Sequence, residues 1–138
     1  MAPRPTLDDT FLNVAREVAR RATCPKRACG AVLTRAGRIL STGYNGAPAG
    51  MPHCDHADGP LCKAAVHAEA NALIFAARHG TATDGATLYL THSPCRRCAG
   101  FIINAGIQEV IYANAFTSLS GADVLTHAGL LVRRGGTL

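Results

Sequence analysis

Two short motifs, each at the start of a predicted helix, constrain the fold of this chain more than any other feature. The first is His-Ala-Glu at residues 67–69, and the second is Pro-Cys-Arg-Arg-Cys at residues 94–98. Imidazole and thiolate groups are preferred zinc ligands, and a catalytic zinc takes three protein ligands and keeps one position open for water. His67, Cys95 and Cys98 meet that count if the fold brings both helix starts to the same edge of a sheet.

Hydrophobic periodicity predicts the elements that such a fold needs, in the order α-ββ-α-β-α-β-α-β. The predicted helices cover residues 7–21, 65–79, 95–105 and 122–128, and the predicted strands cover residues 29–34, 38–42, 87–91, 108–112 and 130–133. Because the late strands alternate with helices, they should run parallel in a mixed five-stranded sheet with helices on both faces. We therefore expect an α/β fold, a three-layer α/β/α sandwich, with residues 1–138 forming a single domain. Residues 43–60, rich in Gly, Pro, His and Asp, are predicted to be a long functional loop.

The spacing of the motifs indicates a particular chemistry. Cys95 and Cys98 are three residues apart, so both lie on one face of a helix, in the first turn, where the helix dipole favours thiolates. Glu69 follows His67 by two residues and need not be a ligand. Zinc lowers the pKa of a bound water toward roughly 7, and an adjacent carboxylate can take up its proton and pass it on. This chemistry suits attack on a ring carbon that bears an amino group, with Glu69 protonating the ring nitrogen and the leaving ammonia.

Each motif alone has a less specific interpretation. A single Cys-x-x-Cys in an intracellular chain can be a redox pair or half of a structural zinc site, and a single histidine on an alanine-rich helix is more often a core or surface residue. A redox site does not require His67 and Glu69, and a closed structural zinc needs a fourth protein ligand. Together, the two motifs are the signature of zinc nucleobase deaminases.

Composition restricts the partners and the compartment. Lys and Arg outnumber Asp and Glu by 14 to 9, which suits an anionic partner such as a nucleotide phosphate, although it also describes a solvated surface. Lys26 and Arg27 are candidates for holding a phosphate. With 5% aromatic residues, no Trp and scattered arginines, a nucleic-acid partner is not expected.

The sequence contains no run of about 18 apolar residues, so no membrane span is predicted, and the first residues lack the apolar region of a signal peptide. We expect a cytoplasmic protein, in which six cysteines are more readily explained by metal binding than by disulfides.

Four segments resemble the deoxycytidylate (dCMP) deaminases of the cytidine deaminase superfamily. They are Gly-Tyr-Asn-Gly-Ala-Pro at 43–48, Thr-Cys-Pro-Lys-Arg-Ala-Cys-Gly-Ala-Val at 23–32, Ala-Val-His-Ala-Glu-Ala-Asn-Ala at 65–72 and Tyr-Leu-Thr-His-Ser-Pro-Cys at 89–95. The resemblance extends over about residues 10–132. It implies a cytidine-deaminase-like fold and zinc-dependent hydrolysis of dCMP to dUMP and ammonia. The alternatives are a deaminase of another cytosine-type nucleotide, nucleoside or modified base and, less favoured, a nucleic-acid-editing deaminase module or a zinc scaffold without activity.

The resemblance also assigns residues. It implies that Glu69 is catalytic, and it implies substrate contacts for Arg27, Asn45, Ala68 and Ser93. Regulated members bind dCTP or dTTP at the segment that corresponds to Gly43, Tyr44, Asn45 and Gly46, and members assemble as dimers or hexamers. Two positions depart from the family: Ala-Asn-Ala-Phe at 113–116 stands where members often have a second tyrosine, and Cys29 stands where valine is usual. Cys29 is expected to lie in a strand and to be part of the core.

Some members of the family bind a second, structural zinc. The resemblance implies the ligands Cys24, Cys54, His56 and Cys62, which would close a tetrahedral site and fix the long loop. The alternative is that these thiols are buried or idle.

Overall fold

A computed structural model of the chain describes residues 2–56, 62, 64–116 and 118–136. The helices are Leu7–Ala19 (α1), Ala68–Arg78 (α2), Arg96–Asn104 (α3) and Ser120–His127 (α4), and the strands are Gly30–Arg35 (β1), Arg38–Tyr44 (β2), Thr87–His92 (β3), Glu109–Asn114 (β4) and Leu131–Arg134 (β5). The predicted order of elements is therefore confirmed. None of these helices has both the length and the apolar character needed to cross a bilayer.

The five strands form one mixed sheet in the order β2-β1-β3-β4-β5. β1 is antiparallel to both of its neighbours, and β3, β4 and β5 are parallel to one another. The register places Ala31 opposite Leu90 and Leu88 opposite Val110. The prediction that the late strands run parallel, because helices alternate with them along the chain, is confirmed.

Helices cover both faces of this sheet. On one face, Phe11 and Leu12 of α1 pack against Val32 of β1 and Ile111 of β4. On the other face, α2, α3 and α4 contribute to a second cluster with the opposite side of the same strands. Right-handed crossovers that advance in one direction along a sheet place their helices on the same face, which explains why α3 and α4 lie together. The three-layer α/β/α sandwich is thus confirmed.

Several boundaries differ from the prediction by one to three residues, including two beside the motifs. β2 continues through Tyr44, so Gly43 belongs to a strand and the loop begins later than residue 43. Gly43 is needed there because a Cβ atom would lie 2.5 Å from the backbone nitrogen of Ala72 in α2. α2 begins three residues later than predicted, since His67 is extended and Val66 instead forms an isolated antiparallel bridge with Gly46.

Candidate active site

The first cluster joins the starts of two helices. His67 is the N-cap of α2, Cys95 is the N-cap of α3, and Cys98 lies in the first turn of α3. One ligand atom from each of the three residues lies within 4.8 Å of the other two. The Nδ1 atom of His67 is 3.6 Å from the sulfur of Cys95 and 3.4 Å from the sulfur of Cys98. The fold therefore brings both helix starts to one edge of the sheet, as the motifs require.

The spacing of these donor atoms can be compared with the requirements of zinc. A tetrahedral ion with Zn–S near 2.3 Å and Zn–N near 2.05 Å places sulfur and nitrogen ligands about 3.6 Å apart. The two observed distances of 3.6 and 3.4 Å match that edge of the tetrahedron. Three donors leave one tetrahedral position open, and the His67 side chain is 53% exposed, so this position can be reached from solvent.

The two thiols differ in their electrostatic environment. The Cys95 sulfur caps α3 by accepting a hydrogen bond from the Cys98 backbone N–H at 3.5 Å. The hydrogen bond from the Cys98 side chain and the contact with His67 lower the pKa of Cys95 to about 3. The pKa of Cys98 is raised by the hydrogen bond to Cys95 and by burial. These surroundings favour the ionised form of the Cys95 thiol, which lies at the positive end of a helix dipole.

Glu69 is the buried carboxylate beside this cluster. It lies in the first turn of α2 and is only 7% exposed. Its Oε1 atom is 3.9 Å from His67 Nδ1. Burial raises the pKa of Glu69, and the nearby His67 counteracts part of that rise. A carboxylate in this position can exchange protons with a group bound in the open position of the cluster.

A pocket of about 430 Å³ opens over the cluster, a size typical of small-molecule sites. His67, Glu69 and Cys95 line one side of it. The lining also includes three of the residues that were expected to contact substrate, namely Arg27, Asn45 and Ala68. It further includes Cys29, His92 and Phe116, which the sequence did not indicate as site residues. Lys26 also lines the pocket.

Asn45 lines the pocket, but its side chain is mainly occupied by the protein. Its Oδ1 atom accepts a hydrogen bond from the Cys29 backbone N–H at 2.8 Å, and its Nδ2 atom donates to the Arg27 carbonyl oxygen at 2.7 Å. Asn45 is 7% exposed. It therefore fixes the segment between α1 and β1, which carries the guanidinium of Arg27 to the pocket.

Ser93 and Cys29 do not lie where they were expected. Ser93 is fully buried and accepts a hydrogen bond from the Phe116 backbone N–H at 2.9 Å, which places its side chain behind the pocket wall. Cys29 precedes β1 and is half-buried, and it contacts both the pocket and the core cluster. Burial, and then the charge of Glu69, raise the pKa of its thiol to about 11. The strand assignment for Cys29 was wrong, because the Asn45 hydrogen bond to its N–H replaces a strand pairing.

The ring of Phe116 was not recognised as part of the site, although the sequence signalled it indirectly. Phe116 stands in the segment that departs from the family pattern. Its ring stacks with the imidazole of His92 at a centroid distance of 5.3 Å and an interplanar angle of 24°. The guanidinium carbon of Arg27 lies 4.4 Å from the centroid of the same ring. The substituted segment therefore forms part of the wall.

A second cluster contains the four residues that were expected to form a structural zinc site. One ligand atom from each of Cys24, Cys54, His56 and Cys62 lies within 4.8 Å of the others. The Cys24 sulfur is 3.1 Å from His56 Nε2, while His56 Nδ1 is buried without a hydrogen-bond partner among the described residues. Four donors of this kind fit a closed tetrahedral zinc. Cys24 and Cys62 also line the pocket over the first cluster, so the second cluster supports its wall.

The Gly-Tyr-Asn-Gly segment faces two sides of the protein. Asn45 is part of the pocket lining, whereas Gly43, Tyr44 and Gly46 line a separate groove of about 450 Å³. The groove is completed by residues of α2 and its C-terminus, including Phe75 and His79, and the part of its lining that the structure describes contains no lysine or arginine.

Comparison with known proteins identifies the family. The family model of the cytidine and deoxycytidylate deaminase zinc-binding region matches residues 5–114. The chain belongs to the cytidine and deoxycytidylate deaminase family. This agrees with the resemblance seen in the sequence and confirms the interpretation of the chain as a zinc-dependent deaminase.

Individual members of this family are similar over most of the chain. Deoxycytidylate deaminase of Mycobacterium phage D29 is 40% identical over 124 residues, which are 79% of this chain and 95% of the relative. ComE operon protein 2 of Bacillus subtilis is 38% identical over 130 residues, or 90% of this chain and 68% of that protein. The crystal structure of dCMP deaminase from the cyanophage S-TIM5 in complex with dCMP and dUMP superposes with a TM-score of 0.90 at 32% identity, covering 97% of this chain and 100% of that one.

Proposed function

We propose that this deaminase catalyses the hydrolysis of dCMP to dUMP and ammonia, with residues 1–138 acting as one domain. The observation that carries the proposal is the three-donor cluster with a buried carboxylate beside it, in a pocket with a guanidinium in its wall. The phage D29 deaminase and the cyanophage enzyme, which was crystallised with dCMP and dUMP, support this choice of substrate.

The chain's own residues have distinct roles in this reaction. His67, Cys95 and Cys98 would hold a zinc ion, which when bound would lower the pKa of a water molecule and so supply a nucleophile at neutral pH. Glu69 accepts the proton of the attacking water, delivers it to the ring nitrogen next to the reacting carbon, and transfers a second proton to the departing amino group. Water supplies the oxygen of the product, and ammonia carries the amino nitrogen away, so the reaction balances without a redox step.

Substrate binding involves several residues of the pocket lining. Arg27 is exposed and carries a permanent positive charge suited to a phosphate monoester, and Lys26 lies nearby in the lining. Ala68 is the first residue of α2, where backbone N–H groups have no partner within the helix and can bind a carbonyl oxygen of the base. Asn45 acts mainly by holding the wall in place.

A substrate panel assayed for ammonia tests the proposal. The zinc-loaded protein is incubated with dCMP, CMP, deoxycytidine, adenosine and a cytosine-containing single-stranded oligonucleotide. We expect dCMP to have the highest kcat/KM and deoxycytidine to be much poorer, since it lacks the phosphate. Higher kcat/KM for another amine-bearing compound would show that the substrate assignment is wrong while leaving the deaminase chemistry intact.

We also propose two zinc ions per chain, the second bound by Cys24, Cys54, His56 and Cys62. The close packing of four donor atoms, with the Cys24 sulfur 3.1 Å from His56 Nε2, supports this site. Metal analysis should give two zinc ions per chain for the wild type and one for Cys54→Ser. The matched control is Cys29→Ser, a cysteine outside both clusters, which should retain two. A wild-type count of one zinc would contradict the second site.

Regulation by dCTP and dTTP is proposed for the groove lined by Gly43, Tyr44 and Gly46. Among the described residues that line this groove there is no lysine or arginine, so we place the cations that a triphosphate needs on a second copy of the chain. This fits a dimer or hexamer, for which the exposed Ile74 and Phe75 on α2 provide apolar surface. Light scattering with and without each triphosphate, run beside the ammonia assay, tests both proposals: a monomer that is insensitive to dCTP and dTTP would contradict them.

The six cysteines, none in a disulfide, support the cytoplasm as the proposed compartment.

A further inference from the structure

Phe116 lies at the junction of three parts of the molecule. It follows β4 and lies half-buried in the pocket wall. Its ring contacts the imidazole of His92, at the end of β3, and the guanidinium of Arg27, which lies on the segment between α1 and β1. A phenyl ring has no group that can hydrogen-bond a substrate, so any effect of this side chain on binding has to pass through its neighbours.

The position of the ring is fixed from behind. The Phe116 backbone N–H donates to the fully buried hydroxyl of Ser93 at 2.9 Å. The backbone N–H of Ser93 donates in turn to the carbonyl oxygen of Asn114 at 2.9 Å, which ties together the ends of the two central parallel strands. Burial, and then the charge of Arg27, lower the pKa of His92, which favours the uncharged imidazole beside the guanidinium. The ring is thus presented to Arg27 by a rigid part of the sheet.

Arg27 depends on this ring for the placement of its charge. Its backbone is held by the hydrogen bond from Asn45 to its carbonyl oxygen, but that bond does not orient the long side chain. No carboxylate in residues 2–56, 62, 64–116 and 118–136 forms an ion pair with Arg27. The face of an aromatic ring attracts a guanidinium electrostatically and limits its rotamers. Among the described contacts, the Phe116 ring is therefore the one that orients the guanidinium at the pocket.

We propose that Phe116 is a positioning residue for nucleotide recognition: by stacking on Arg27 it holds the guanidinium where the substrate phosphate binds, and it thereby determines the preference for a nucleoside monophosphate over the unphosphorylated nucleoside. The proposal rests on the proposed function for the identity of the substrate, and it adds the residue that sets phosphate selectivity. Phe116 is not a catalytic residue in this account, because it acts through Arg27 and not on the reacting atoms.

The first test compares two substrates that differ only in the phosphate. For Phe116→Ala we expect the KM for dCMP to rise about 3- to 30-fold, with kcat changed less than about twofold, as loss of a cation–π contact predicts. The low kcat/KM for deoxycytidine should not change. Phe116→Tyr, which keeps the ring face, should restore the wild-type KM, whereas Phe116→Leu, which keeps apolar bulk only, should behave like the alanine variant. Phe101→Ala removes an exposed phenyl ring on α3 and is the matched control.

The second test is a double-mutant cycle, which separates action through Arg27 from a general structural role. In an Arg27→Ala background, Phe116→Ala should have no further effect on the KM for dCMP. An equal loss for dCMP and deoxycytidine, or additive losses in the double variant, would overturn the proposal.

A binding measurement decides the matter without turnover. Titration calorimetry with dUMP and deoxyuridine should show that Phe116→Ala weakens binding of dUMP alone, whereas unchanged dUMP affinity would overturn the proposal. Should the wild type release no ammonia from dCMP, the proposed function would be wrong, and the calorimetric comparison would still support or overturn the role of Phe116.

Discussion

The loss of the Asn45 side chain should be costly, because this side chain joins the pocket wall to the rest of the fold. Asn45→Ala removes the acceptor for the Cys29 N–H and the donor to the Arg27 carbonyl. Each such hydrogen bond contributes about 1 kcal/mol net, so the free energy of unfolding should fall by about 2 kcal/mol. That is roughly a 30-fold change in the folding equilibrium constant. With a urea m-value of about 2 kcal/mol/M for a chain of this size, the unfolding midpoint should fall by about 1 M.

The assay is urea unfolding of the zinc-saturated protein, followed by circular dichroism at one protein concentration, since bound metal and association both shift apparent stability. Asn45→Asp should lose at least as much as Asn45→Ala, because an oxygen would then face the Arg27 carbonyl at 2.7 Å and a charge would be buried. The control is Asn104→Ala, at an exposed position near the end of α3, with an expected shift below about 0.25 M. A shift below about 0.3 M for Asn45→Ala would refute the reasoning that these two bonds hold the wall.

Two further predictions concern the sheet and its edges. Gly43→Ala should destabilise the protein by about 1–3 kcal/mol in thermal melts, because its Cβ would lie 2.5 Å from the backbone nitrogen of Ala72. The control, Gly100→Ala, has open space around its Cβ and should be neutral or stabilising by up to about 1 kcal/mol. Equal effects of the two changes would contradict this prediction. The hydrogen bond from Arg133 holds the pKa of Asp8 below its usual value, so the stability that Asp8 contributes is present above about pH 4 and lost as pH falls through the lowered pKa. The Tm of the wild type should therefore exceed that of Asp8→Asn by a constant amount between about pH 5 and 7, and the difference should narrow as the pH falls below about 4. A difference that does not narrow as the pH is lowered below about 4 would be the contrary result.

Much of the fold could be predicted because it follows from the hydrophobic periodicity and from the order of the helices and strands. The alternation of late strands and helices fixed the parallel part of the sheet, since crossover connections leave few alternatives. Boundaries next to the motifs were less accurate for a physical reason. Gly43 and Tyr44 look like turn residues, yet they continue β2 because they pair with Ala31 and Gly30 of β1, while α2 packs closely over Gly43. His67 has a helical sequence context, but it is extended because the neighbouring Val66 pairs with Gly46.

The candidate site also has a part that could be predicted from the sequence and a part that could not. The ligand clusters could be predicted, because zinc chemistry restricts them to cysteine and histidine and the motifs place them at helix starts. The wall could not. Whether Asn45 faces the protein or a ligand, whether the Ser93 hydroxyl lies in the wall or behind it, and whether Phe116 meets Arg27 are decided by the packing of segments that are distant in sequence. Residue type alone does not specify such contacts.

The role of Glu69 beside the three-donor cluster is the central claim, and one paired measurement tests it directly. Zinc content and ammonia release from dCMP are determined on the same preparation of wild type and of Glu69→Gln, which preserves the size of the side chain and removes its ability to accept a proton. The account predicts an unchanged number of zinc ions per chain and a kcat reduced by at least about 100-fold. A variant that keeps its zinc and also keeps its kcat would contradict the assignment of Glu69 as the proton-transferring residue.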